Sequence, residues 1–199
     1  MKFTSGLVVL AAILLAASVG CRPASSTTAG TRSVSAELQG KWWTWAASEP
    51  EETNPVADRD GSECDRNQPR DVWFLAGTFG GKAKRTCTVP TGRPIAFPVV
   101  NLFGLSEDCA AFMATAKGRA VLDGETILPE VYDGEAITVQ SAAGNAVTGR
   151  EERYTATGCG LWVQLPPLEP GKHALKIRGH SGDLSVDVDY ALTVEAPSV

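Results

Sequence analysis

The chain of 199 residues has no surplus of basic charge, only two histidines and, past its first twenty residues, no long apolar run. Lys and Arg number 18 against 23 Asp and Glu, a net charge of −5. A binder of nucleic acid neutralises phosphates with clustered cations, so this balance excludes that class. No C-x-x-C or H-x-x-x-H pair is present, which removes the common zinc frameworks. Phosphate-loop and dinucleotide fingerprints are also missing. Repeats, heptads and low-complexity tracts are absent too. With 43% hydrophobic and 21% charged residues, the composition is that of one globular domain. Twenty Gly and twelve Pro predict many short elements joined by turns.

What the sequence does have begins at the N-terminus. Lys2 precedes an apolar or small-residue run from Leu7 to Val19. Thirteen residues are too few to cross a bilayer as a helix, which takes roughly 20, but they suit the h-region of a signal peptide. The run ends in Ser18-Val19-Gly20-Cys21, which resembles the lipobox of bacterial lipoproteins. That resemblance implies diacylglycerol on the Cys21 sulfur, cleavage after Gly20 and acylation (palmitate) of the new amino terminus. The expected organisation is a signal peptide at 1–20, a flexible tether at 21–35 and a folded domain at 36–199. The tether, small and polar from Arg22 to Ser35, has an r.m.s. span on the order of 20 Å. The expected address is export, with the lipid bilayer as a partner through Cys21 and the protein held at a bacterial membrane, periplasmic or cell-surface side.

Four further cysteines, Cys64, Cys87, Cys109 and Cys159, are an even set and read as two disulfides in an exported chain. The sequential pairing is preferred, because Cys64 and Cys87 flank one compact stretch. Short β-branched and aromatic segments recur from residue 71 onward: 71–77, 84–89, 94–101, 119–127, 136–140, 161–165, 173–178 and 184–194. Pro98 predicts an edge or a bulge, and Asp123-Gly124 predicts a hairpin turn. In the last segment Leu184, Val186, Val188, Tyr190 and Leu192 alternate with polar or small residues, the mark of a half-buried strand. Ser106 to Lys117 reads as a helix capped by Ser106, and 36–47 as a short helix or a strand. The fold class expected is all-β, an antiparallel β-sandwich with one or two short helices, for which a jelly-roll is one arrangement. Segments 42–101 and 158–194 resemble in style uncharacterised exported bacterial β-sandwich proteins, a resemblance that carries no site.

Candidate chemistry is sparse. Trp42, Trp43 and Trp45 offer stacking surfaces for a sugar if exposed; the size of tryptophan favours the core. Trp73 and Trp162 belong to apolar strands. Asp58, Asp60, Glu63 and Asp65 in one loop supply hard oxygens suited to a structural calcium, or else simply form a solvated acidic loop. Gly179-His-Ser-Gly-Asp183 lacks the final glycine of a nucleophile elbow. Cys159 with His173, and Glu130 with Asp133, are pairs that chemistry permits and spacing does not support. No catalytic residue is assigned. The function expected is a membrane-anchored envelope lipoprotein displaying a non-catalytic module for an envelope polysaccharide or protein. The alternatives are a hydrolase whose carboxylates meet only in the fold, and a structural component with no ligand.

Overall fold

The computed structural model describes residues 33–196. The leader, Cys21 and the tether as far as Thr31 and Arg32 lie outside those residues. Over the described residues the protein is a β-sandwich with two short helices, in line with the all-β expectation. Helix α1 (Ala36–Ala46) opens at Ser35, whose hydroxyl accepts from the Leu38 N–H at 3.1 Å. This capping resolves the helix-or-strand ambiguity of the segment. A single 3-10 turn (Glu51–Thr53) and the loop carrying the acidic residues lead to β1 (Trp73–Phe74). There follow β2 (Gly81–Val89), β3 (Ile95–Gly104), α2 (Ser106–Met113), β4 (Lys117–Leu122) and β5 (Glu125–Ile127). The chain ends with β6 (Glu130–Ser141), β7 (Glu152–Leu165), β8 (Gly171–Ser181) and β9 (Leu184–Val194).

One sheet runs β1-β3-β7-β6 and the other β2-β9-β8-β4-β5. Pairing is mostly antiparallel, but β1 lies parallel to β3, and β2 parallel to β9 along nine residues. The antiparallel sandwich expected from the sequence holds, with these two parallel pairs added to it. Alternation along β9 marks which face is buried, whereas the direction of its neighbour is set by how the chain crosses between sheets.

Several local predictions meet the structure closely. Leu122 faces Glu125 across a two-residue turn whose Asp123 and Gly124 both have positive φ, 51° and 93°. That is the backbone of a type I′ hairpin, for which Asp-Gly is suited. The register of β3 against β7 shifts between Pro98 and Val100, so Pro98 sits at a bulge as well as past the end of β1. Two boundaries differ. The strand expected at 71–77 keeps only Trp73 and Phe74, because the chain then leaves the sheet towards Tyr190. Helix α2 starts at Ser106 itself, with Asp108 accepting from the Leu105 N–H at 3.0 Å, and stops at Met113. Lys117 and Gly118, read as the helix end, open β4 instead.

The inter-sheet core gathers Leu75, Phe97, Val99, Leu161, Val163, Leu175, Ile177 and Val188, all at most 5% exposed. The sheets meet closely where the bulged Val99 faces β8: a Cβ on Gly179 would lie 2.5 Å from the Val99 carbonyl oxygen. A second cluster lies on the outer face of the four-stranded sheet, where α1 packs Trp42, Trp43 and Trp45 over Phe74, Ala96, Val139 and Trp162. The order of layers is therefore sheet, sheet, helix.

Candidate functional site

The tryptophans of α1 are core. Trp42, Trp43 and Trp45 are 2%, 8% and 4% exposed. Trp42 meets Trp43 and Trp162 edge to face at 5.0 and 5.7 Å between ring centroids, and Trp43 meets Phe103 at 4.5 Å. The Trp42 and Trp45 indole N–H groups donate to the carbonyls of Leu75 and Arg66. With their faces against other rings they present no stacking platform, so the core reading that the size of tryptophan favours holds and the sugar-stacking alternative does not. Burial of three large side chains outweighs any gain from leaving them in water.

The acidic loop is organised by backbone amides. Asp58 accepts from the N–H groups of Asp60 and Gly61, both at 3.0 Å, and from Glu63 at 3.3 Å. Asp60 accepts from Ser62, and hydrogen bonds from the Ser62 backbone and side chain draw its carboxyl below the usual range. Glu63 turns to the Arg66 guanidinium at 2.6 and 2.8 Å, while Asp65 is exposed. Among the described residues no three His, Cys, Asp or Glu side chains converge on one point. The calcium reading of Asp58, Asp60, Glu63 and Asp65 gives way to that of a solvated acidic loop, because Asp58 is taken by backbone amides, Asp60 by Ser62 and Glu63 by Arg66. The loop covers the edge of β2: Lys84 and Thr86 donate to the carbonyls of Arg59 and Asp60. The Cys64–Cys87 disulfide clamps it there, with Cα atoms 5.8 Å apart.

The second disulfide joins Cys109 to Cys159, so the pairing is sequential and Cys159 is not a thiol partner for His173. His173 instead lies 2.7 Å from Asp123 through Nδ1, and its Nε2 lies 2.8 Å from the Glu169 carbonyl oxygen. The pair was not foreseen, although both residues flank elements read correctly. Both ring nitrogens face acceptors, which the doubly protonated imidazolium satisfies. Burial pushes the His173 pKa down, but the hydrogen bonds to Asp123 and Glu169, with the charge of Asp123, outweigh it and raise it above 6.5. With both nitrogens engaged, His173 ties the Asp123-Gly124 turn to the connection before β8. Glu130 accepts from the Tyr132 hydroxyl at 2.6 Å, and Asp133 stands exposed. Ser181 donates to the Phe112 carbonyl at 2.6 Å, securing the end of α2 against the β8–β9 turn.

A groove of about 790 Å³ lies between α1 and the edge strand β6. Gly40 lets the helix approach: a Cβ there would lie 2.6 Å from the Thr138 carbonyl oxygen. Thr44 accepts from the Gln140 N–H and Ala47 from the Ala142 N–H, so the helix covers part of that edge. Lys41 bridges Glu37 at 3.0 Å and Asp71 at 3.3 Å along one wall, and these two hydrogen bonds raise its pKa. Asn67, with φ 50°, donates to Glu49 at one end; Gln140 and an exposed Arg153 form the other wall. The groove thus carries carboxylates, amides, an ammonium and a guanidinium, with no exposed aromatic ring. No protein-family model matches this chain, and neither the curated proteins nor the solved structures contain a significant match.

Proposed function

We propose that the protein is a lipid-anchored envelope module, held through Cys21, that binds an envelope polysaccharide without catalysis in the groove between α1 and β6. The observation that carries this reading is the groove itself. Planar hydrogen-bonding side chains from both walls, Glu37, Asp71, Asn67, Gln140 and Arg153, line a trough open to solvent. Polyhydroxylated chains are bound by such carboxylates, amides and guanidinium groups, each offering paired donors or acceptors. Export is supported by the two disulfides, which persist in oxidising compartments. Cosedimentation of the purified protein with isolated bacterial sacculi tests it. The expected result is saturable binding, weakened about tenfold by the pair Gln140→Ala and Arg153→Ala with the melting temperature unchanged. Protein that stays in the supernatant, or a variant that binds as well, refutes it.

A further inference from the structure

A sheet edge presents unpaired N–H and C=O groups, and soluble proteins cover, shorten or charge such edges. Three edges of this sandwich are so treated. The loop clamped by Cys64–Cys87 lies along β2, α1 lies along β6, and β5 is only three residues long. The fourth edge is different. Strand β3 pairs with β7 as far as Gly104, yet on its other side β1 matches only Ile95 and Ala96. The last described backbone bond on that side runs from the Leu75 N–H to the Ala96 carbonyl. From Pro98 to Gly104 the edge has no strand partner among the described residues, a length of about 20 Å in extended chain.

The orientation of the backbone past the bulge follows from the pleat. The Val100 carbonyl faces β7, since a Cβ on Gly160 would lie 2.5 Å from its oxygen. By alternation the N–H and C=O of Asn101 and Phe103 face away from β7, into the open. Along this stretch lies a groove of about 370 Å³, lined by Trp43, Phe79, Val100, Leu102, Leu184 and Val147 among others, with no charged residue. Four large apolar side chains among the described residues are exposed, and two flank this edge: Phe79 at 51% in the groove wall and Leu105 at 63% just past Gly104.

We propose that the β3 edge from Pro98 to Gly104 is a docking site for an extended, uncharged peptide segment of a partner protein, which adds a strand beside β3. The unpaired backbone recognises an extended chain, and the uncharged apolar lining selects alternate apolar side chains without charge. The edge lies at the floor of a groove, between Gly77–Phe79 and Ala146–Val147. Walls on both sides hinder the edge of a whole second domain more than they hinder a lone extended segment.

The test is amide hydrogen exchange on the purified protein, alone and with a blocked Thr-Val-Thr-Val-Thr-Val-Thr peptide. Alone, the amides of Asn101 and Phe103 exchange faster than those of Val100 and Leu102. With peptide, they slow about tenfold or more. N-methylation of alternate peptide residues abolishes the effect, and Phe79→Asp, an exposed substitution, weakens it about tenfold without lowering the melting temperature. The proposal falls if both amides are already protected in the free protein, or if peptide leaves them unchanged. It falls equally if the N-methylated peptide protects as well, which marks an apolar small-molecule pocket. Protection that appears with protein concentration alone, alongside dimer in sedimentation, assigns the edge to a second copy and overturns the peptide assignment.

Discussion

Arg85 is a cation held in the core, 2% exposed, and among the described residues its guanidinium is met by carbonyls and a hydroxyl. Its guanidinium donates to the carbonyls of Val56, Asp58, Ala76 and Gly77 and to the Tyr190 hydroxyl, at 2.6 to 3.0 Å. Two loops that lack regular structure are thereby satisfied by one side chain, which is how a buried charge is tolerated. Its position was open to reading, since Ala83, Arg85, Cys87 and Val89 share one face of β2; its partners, up to 105 residues away, were not. His173 is the second cation whose charge state matters to the fold. Its folded-state pKa is raised, so its clip to Asp123 stabilises fully below about pH 6.5 and is lost as pH rises through the folded value. Urea unfolding between about pH 6 and pH 8 is expected to show stability falling with pH more steeply in the wild type than in His173→Gln. Equal slopes would show that the clip contributes nothing.

Among the elements, the reading succeeded where the signal is local and failed where a neighbour decides. The hairpin at Asp123-Gly124 and the alternation of β9 depend on turn chemistry and period, both legible in a single segment. Strand β1 is shorter and α2 ends earlier than their local patterns predict: the Ala76 N–H turns to the Tyr190 hydroxyl, and the Phe112 carbonyl at the end of α2 is taken by Ser181. The loop at 58–66 drew attention for its acids, yet its role in the fold is to lie against β2 under the Cys64–Cys87 bridge. That role predicts two effects of Cys64→Ser/Cys87→Ser. Opening a loop of 23 residues costs about 3 kcal/mol in urea denaturation. Freeing the β2 edge raises aggregation on storage, measured by light scattering. A variant as stable and as monomeric as the parent would show that Asp58 alone holds the loop.

For the whole molecule, two disulfides place the chain in an oxidising, exported compartment, and among the described residues no helix is long and apolar enough to cross a membrane. Anchoring through Cys21 rests on the Ser18-Val19-Gly20-Cys21 motif, outside the described residues. Cys21→Ala is expected to move the protein from the membrane fraction to the soluble one on fractionation, since the acyl chains supply the hold. Retention in membranes would refute the anchor. The three layers also explain why the candidate site moved. With α1 laid over the four-stranded sheet, its tryptophans seal the outer core, and its polar side, with β6, becomes the groove.

The sequence alone determined the all-β class, the half-buried faces, the Asp-Gly hairpin and an edge or bulge at Pro98, because each follows from period or backbone preference within a few residues. The tertiary structure alone decided that β2 runs beside β9, that Trp42, Trp43 and Trp45 pack over Phe74 and Trp162, that Asp123 meets His173, and that β3 keeps one edge open. Each of these depends on which distant segments come together. Such pairings are set by packing whole faces against one another, and a local pattern holds no record of them.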